Sequence, residues 1–164
     1  MNVQTSGVIF VHSSSAALCP HVEWSVESVL GHSLTFDWQN QPAEPGTWRC
    51  EVTWRGPVGL SAALTSALRA CQKIRFEVTE DSSTQAGGQR YAFTPSLGIF
   101  HATTDEVGNI TVGEQRLREA MRIASEHSKD LSDLLDDLLG QPWDDELEAF
   151  RYCDAPVRWL HTGS

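Results

Sequence analysis

Positive charge is scarce in this sequence. Twelve Lys and Arg face 22 Asp and Glu over 164 residues, a formal net charge of −10, and only two of the twelve are lysines. A chain of that sign repels phosphate backbones, which argues against nucleic acid as a partner. Long apolar runs are also missing. No stretch approaches the ~20 residues of a membrane span, so no membrane is expected as a partner either. The amino terminus Met1–Ser6 holds no Lys or Arg, and the apolar stretch Val8–Val11 is short. A secretory signal needs a basic start and an apolar core of about 7–15 residues, so the expected location is cytoplasmic. The four cysteines, Cys19, Cys50, Cys71 and Cys153, are scattered and form no CxxC. That excludes a disulfide framework and leaves reduced thiols, with Cys50 and Cys71 on apolar stripes as core residues. No G-x-S-x-G, P-loop, GxGxxG or HExxH occurs, and Gly87-Gly88 is too isolated to cradle a phosphate. No cofactor and no metal is therefore expected.

Hydrophobic periodicity is what the sequence does hold. Gly7–His12 is a continuous apolar run, the mark of a central strand covered on both faces. A helix follows, with Cys19 expected as its N-cap, Pro20 at its first position and Gly31 as its stop. Val22, Val26, Val29 and Leu30 form its apolar stripe. Leu34, Phe36 and Trp38 alternate with polar residues, as do Trp48, Cys50, Val52 and Trp54, so two strands are expected, joined by a polar loop. A second helix runs from about Gly59 to Cys71. A fourth strand has Ile74, Phe76 and Val78 inward and Arg75, Glu77 and Thr79 outward. Further strands are marked by Tyr91 with Phe93, by Leu97–Ala102 and by Ile110–Val112. A helix over Glu114–His127 has Leu117, Ala120, Met121 and Ala124 inward, and another spans Lys129–Leu139. A short acidic segment and Val157–Leu160, a last strand or a packing segment, complete the chain.

The fold class expected is α+β: a ferredoxin-like βαββαβ antiparallel sheet core over 1–80, extended by further strands and two C-terminal helices. The whole of 1–164 is read as a single domain. Residues 90–125 are its strand-rich extension and helix, and 126–154 its acidic helical segment.

Three groups of residues are candidates for function. His12, Cys19 and His21 gather where a strand ends and a helix starts. A cysteine at a helix N-terminus has its thiolate favoured by the dipole, and a nearby histidine serves as its base. The alternative is a capping cysteine and a surface histidine. Their spacing matches no zinc pattern. Trp38, Trp48 and Trp54 share one expected face, either as aromatic core or as a groove for an apolar ligand or partner. Residues 126–154 hold ten acidic side chains against Lys129 and Arg151 alone. There Leu131, Leu134, Leu135, Leu138 and Leu139 form a stripe with Asp133, Asp136 and Asp137 on the other side, either a solvated face or a surface for a basic partner. His101 near Asp105 is a weaker base–orienter pair.

Several stretches carry a resemblance to a known family: Gly7–Ser13, Ala17–Trp24, Pro45–Arg49, Arg75–Glu80, Thr94–Phe100 and Pro156–His161. On these the chain resembles an actinobacterial family known only as a domain of unknown function, nearly end to end. Ten Arg against two Lys fits a high-GC genome. The resemblance implies a cytoplasmic protein and brings no activity, cofactor or catalytic residue. It further implies an accessory role near fatty-acid synthesis. The function expected is a non-enzymatic binding or regulatory accessory protein whose partner has a basic surface. The alternatives are a sensor of a metabolite or acyl-CoA, or an enzyme centred on Cys19 and His21.

Overall fold

The computed structural model describes residues 3–151. Seven strands and five helices follow in the order β1 (Gln4–Ser15), α1 (Cys19–Leu30), β2 (Gln39–Asn40), β3 (Thr47–Pro57), α2 (Leu60–Arg69), β4 (Arg75–Glu80), β5 (Gly88–Thr94), β6 (Gly98–Thr104), β7 (Ile110–Thr111), α3 (Glu114–Glu126), α4 (Leu131–Leu138) and α5 (Gln141–Arg151). The fold is α+β. One sheet runs β2-β3-β1-β4-β5-β6-β7, and every neighbouring pair is antiparallel.

Period-2 alternation sends Ile9, Val11, Cys50, Val52, Trp54, Phe76, Val78 and Phe93 to one face, where Val22 and Val26 of α1 and Leu64 and Leu68 of α2 close over them. Burying each of these larger side chains contributes about 1.5–3 kcal/mol. Gly7 lies opposite Trp54 in the β1–β3 register, and the Trp54 indole reaches past it to donate from Nε1 to Thr79 O at 3.1 Å. A Cβ at residue 7 would lie 1.9 Å from Thr79 O, so only glycine fits.

The opposite face is covered in part by α5. Leu147 is fully buried against Ala92, Phe100 and Ala102, with Trp143 alongside. Trp143 Nε1 donates to Gly98 O at 2.9 Å. Gly140 turns the chain into α5 with φ 76°, a left-handed conformation suited to glycine. This helix lies within the 126–154 stretch expected as an acidic helical segment, and is additional to the two C-terminal helices expected individually.

Other expectations change as well. The N-cap of α1 is Leu18, and Cys19 is already helical. Residues 34–38 do not form a strand; β2 is the pair Gln39–Asn40. The backbone N–H of Leu34 is taken by Glu27 Oε2 at 3.0 Å instead of by β3, so alternation survives without strand pairing. Of the stripe expected inward on α3, only Ala120 is buried; Leu117 is 38% and Met121 60% exposed. The segment Val157–Leu160 lies outside the described residues. Among those residues no helix is long and apolar enough to cross a membrane.

Candidate functional site

β1 carries one extra residue against both neighbours at His12. Its register slips between Val11 and Ser14 against β3, and between Val11 and Ser13 against β4. This is a β-bulge, which breaks alternation and re-aims side chains. Val11, His12, Ser13 and Ser14 are consequently all buried. His12 lies on the α5 side of the sheet, its ring parallel to that of Phe10 at 6.1 Å. Its Nε2 meets Glu77 Oε2 at 2.7 Å. Glu77 lies between Phe76 and Val78 on β4, so its side chain points away from the main core.

Glu77 is 7% exposed and richly partnered. Arg151 of α5 grips it bidentately, Nε to Oε2 at 2.9 Å and Nη2 to Oε1. Arg90 of β5 adds a longer contact at 3.5 Å. Burial raises the carboxyl, but hydrogen bonds and charge from His12 and Arg151 outweigh it and hold Glu77 at about 2. An ionised carboxylate only accepts, so the hydrogen between the two residues is on His12 Nε2. Among the described residues Nδ1 has no hydrogen-bond partner.

The same cations reach the acids of α5. Asp144 Oδ1 accepts from Arg90 Nη2 at 2.6 Å and from Arg151 Nη1 at 2.9 Å. Glu146 accepts from Arg75 Nε at 3.3 Å and Ser96 Oγ at 2.9 Å. Arg75 also bonds Glu44 at 2.7 Å and sits 4.6 Å over the Phe150 ring. Buried Gln41 donates to His12 O at 2.7 Å and to Phe150 O at 3.2 Å, tying the bulge to the end of α5.

A cleft of about 180 Å³ opens beside the bulge, lined by Phe10, His12, Asp37, Gln39, Arg49 and Glu51. Among the described residues no group of three or more His, Cys, Asp or Glu is placed to hold a metal ion.

The residues chosen from sequence are dispersed by the fold. Cys19 lies on α1, across the sheet from the His12 side chain. It is buried and donates to Ser15 O at 3.4 Å and Ser14 Oγ at 3.7 Å. Burial raises its thiol above the ordinary value, with Ser14 lowering it only in part, so the expected activation by the helix start is outweighed. His21 is exposed and stacks on Trp24 at 5.9 Å. The three tryptophans do not line one open face. Trp54 is enclosed in the core, Trp38 is half-buried with its Nε1 on Glu23 Oε1 at 3.0 Å, and Trp48 is half-buried at the β2 edge. His101 pairs with Gln89 at 2.5 Å and stacks on Tyr91, while Asp105 accepts from Val107 and Asn109 N–H in its own turn.

The acidic segment separates into two parts with different fates. Asp144 and Glu146 of α5 are paired to sheet arginines, as above. Asp130 caps α4 through Ser132 N at 2.9 Å, and neither it nor Asp133, Asp136 or Asp137 has an ion pair among the described residues. On α3, by contrast, Arg118 pairs with Glu114, and Arg122 with Glu119 and Glu126. Between α3 and α4 lies an apolar groove of about 360 Å³, floored by Ala120, Ile123, Leu134 and Leu138. In these two helices Ala120 alone is buried.

Glu77, Arg90, Arg151, Asp144 and Gln41 escape sequence reasoning. The one signal within reach is the i, i+4 pair Trp143 and Leu147 followed by Arg151, which marks α5. A family model described as "Protein of unknown function (DUF3145)" matches residues 8–162. No curated protein matches the chain, and no solved structure does.

Proposed function

For a chain that belongs to this DUF3145 family of proteins of unknown function, we propose a role read from geometry alone: a non-enzymatic docking protein that uses α3 and α4 to engage a basic amphipathic helix of a partner protein. The observation that carries it is the state of those two helices. Helices of about this length are marginal in water unless an apolar face is packed, yet here the apolar residues flank an open groove and Leu117, Met121, Leu131 and Leu139 are exposed. Asp137 lines that groove with Arg116 and Glu119, and Asp137, Asp133, Asp136 and the N-cap Asp130 of α4 have no ion pair among the described residues, so the acid excess of α4 favours a cationic partner. A second copy of this chain fits poorly, because a two-fold contact would set the α4 aspartates against themselves. The order β2-β3-β1-β4, with α1 and α2 on a single face, supports reading residues 1–80 as the ferredoxin-like scaffold that presents this pair.

A designed helical peptide with leucines on one face and lysines on the other tests the proposal. Its titration should shift the backbone amides of α3 and α4 and weaken with salt. The double variant Ile123→Ser/Leu138→Ser, in the groove lining, and the triple variant Asp133→Asn/Asp136→Asn/Asp137→Asn should each weaken binding by about tenfold or more. Shifts that fall elsewhere, or an apolar double variant that binds as the wild type does, would overturn it.

A further inference from the structure

We propose that α5 is a displaceable strap, an intramolecular occupant of a sheet face that also accepts an acidic helix of a partner protein. The make-up of the seam beneath it carries this. α5 buries one side chain completely, Leu147, against Ala92, Phe100 and Ala102, with Trp143 alongside. None of these residues belongs to the core that α1 and α2 close over. Lifting α5 therefore leaves that core intact, and the helix can open on its own. A helix of 11 residues is marginal in water when nothing packs against it, so undocking and unravelling are one event.

The rest of the seam is charged. Arg75 meets Glu146 at 3.3 Å, Arg90 meets Asp144 at 2.6 Å, and Arg151 grips Glu77. The first four of these side chains each stay 23–30% exposed, so water and salt reach them. On the sheet side His12, Ser13 and Glu77 are buried polar residues. Uncovering such a face returns polar groups to water, which keeps the cost of opening low. With α5 lifted, Arg75 keeps Glu44 at 2.7 Å and Arg90 keeps only the 3.5 Å contact to Glu77. Two arginines then rim the apolar socket that Leu147 fills. The ligand this socket fits is of the kind it already holds, a helix with a leucine flanked by carboxylates. A rival helix exchanges carboxylate for carboxylate on the same arginines, so the face needs no remodelling. Tethering gives α5 the advantage of a high effective concentration, and the apparent affinity for a rival falls with the fraction of chains that are open.

Native-state hydrogen exchange of the full chain tests the opening. The α5 amides should exchange through an opening of their own, with protection about tenfold or more below that of α1 and α2, and added salt should lower it further. A labelled peptide of residues 141–151 tests the site. It should bind the full-length variant Asp144→Asn/Glu146→Gln/Leu147→Ala, whose strap is weakened, about tenfold or more tightly than it binds the wild-type chain. A peptide that itself carries Asp144→Asn and Glu146→Gln should bind that variant severalfold more weakly. If the triple variant does not fold, exchange in the wild-type chain decides alone. Amides of α5 that exchange only together with those of α1 and α2 would overturn the proposal. So would a peptide that binds both chains equally, or one whose binding ignores its two carboxylates.

Discussion

Replacing Glu77 by Gln is the sharpest perturbation of the α5 clamp. The carboxylate is buried, its ordinary value is 4.5, and its partners hold it at about 2 in the folded protein. That gap of about 2.5 on the pH scale, at about 1.36 kcal/mol per unit, corresponds to stabilisation on the order of 3 kcal/mol. Because the folded value is depressed, this stability is fully present above pH 4.5 and is lost as the pH falls through 4.5 towards 2. Glutamine is the neutral isostere of the protonated acid. At pH 6 the variant should therefore be less stable by on the order of 3 kcal/mol, with Arg151 and Arg90 left to Asp144 alone. On acidification the two proteins should converge, by up to about 1.4 kcal/mol per pH unit. Urea unfolding followed by tryptophan fluorescence, from pH 6 to pH 3, measures the gap directly. A gap that stays constant with pH, or a variant as stable as the wild type at pH 6, would refute the reasoning.

Three further outcomes follow from the packing. Gly7→Ala should break the Trp54–Thr79 hydrogen bond and lower stability by about 2 kcal/mol or more, seen as a lower Tm with altered Trp fluorescence; an unchanged Tm would contradict the close approach. Leu147→Ala should cost about 2–5 kcal/mol, and hydrogen exchange should show α5 losing protection while α1 and α2 keep theirs. Burial, with the nearby Cys19 adding to it, pushes the Cys50 thiol up to about 12. In the native protein Cys50 should therefore resist iodoacetamide at pH 8, by peptide mass spectrometry, and react once urea unfolds the chain.

Much of the scaffold is legible in the sequence because its signals are local. The alternation of Trp48, Cys50, Val52 and Trp54 marks β3. The spacing of Leu60, Leu64 and Leu68 marks α2, and the stripe of α1 ends at Gly31 where a left-handed cap is needed. The errors are also physical. Residues 34–38 alternate like a strand, yet α1 supplies a carboxylate for the Leu34 N–H before β3 can pair with it. Leu117 and Met121 recur at helical spacing and are nevertheless exposed, since amphipathicity says that a face wants a partner and not that the chain contains one. Cys19 sits at a helix start as expected, but desolvation of its thiol outweighs the dipole there.

What the sequence determines by itself is most of the strands and helices, the alternation or stripe of those it marks, and an excess of acid gathered after residue 125. Period-2 alternation assigns Glu77 to the face opposite Phe76 and Val78. It cannot say whether that face is wet, because the helix that covers it lies some seventy residues away in the chain. Tertiary docking of α5 decides this. It turns an apparently solvated glutamate into a buried anion, draws Arg90 and Arg151 onto it, and fixes the ring of His12. The same docking divides the acidic segment, pairing Asp144 and Glu146 with sheet arginines and leaving the aspartates of α4 without ion pairs among the described residues. Counting charges needs only the sequence. Which of them are neutralised depends on distances of a few ångströms, and those are set when α5 packs its Leu147 onto the sheet.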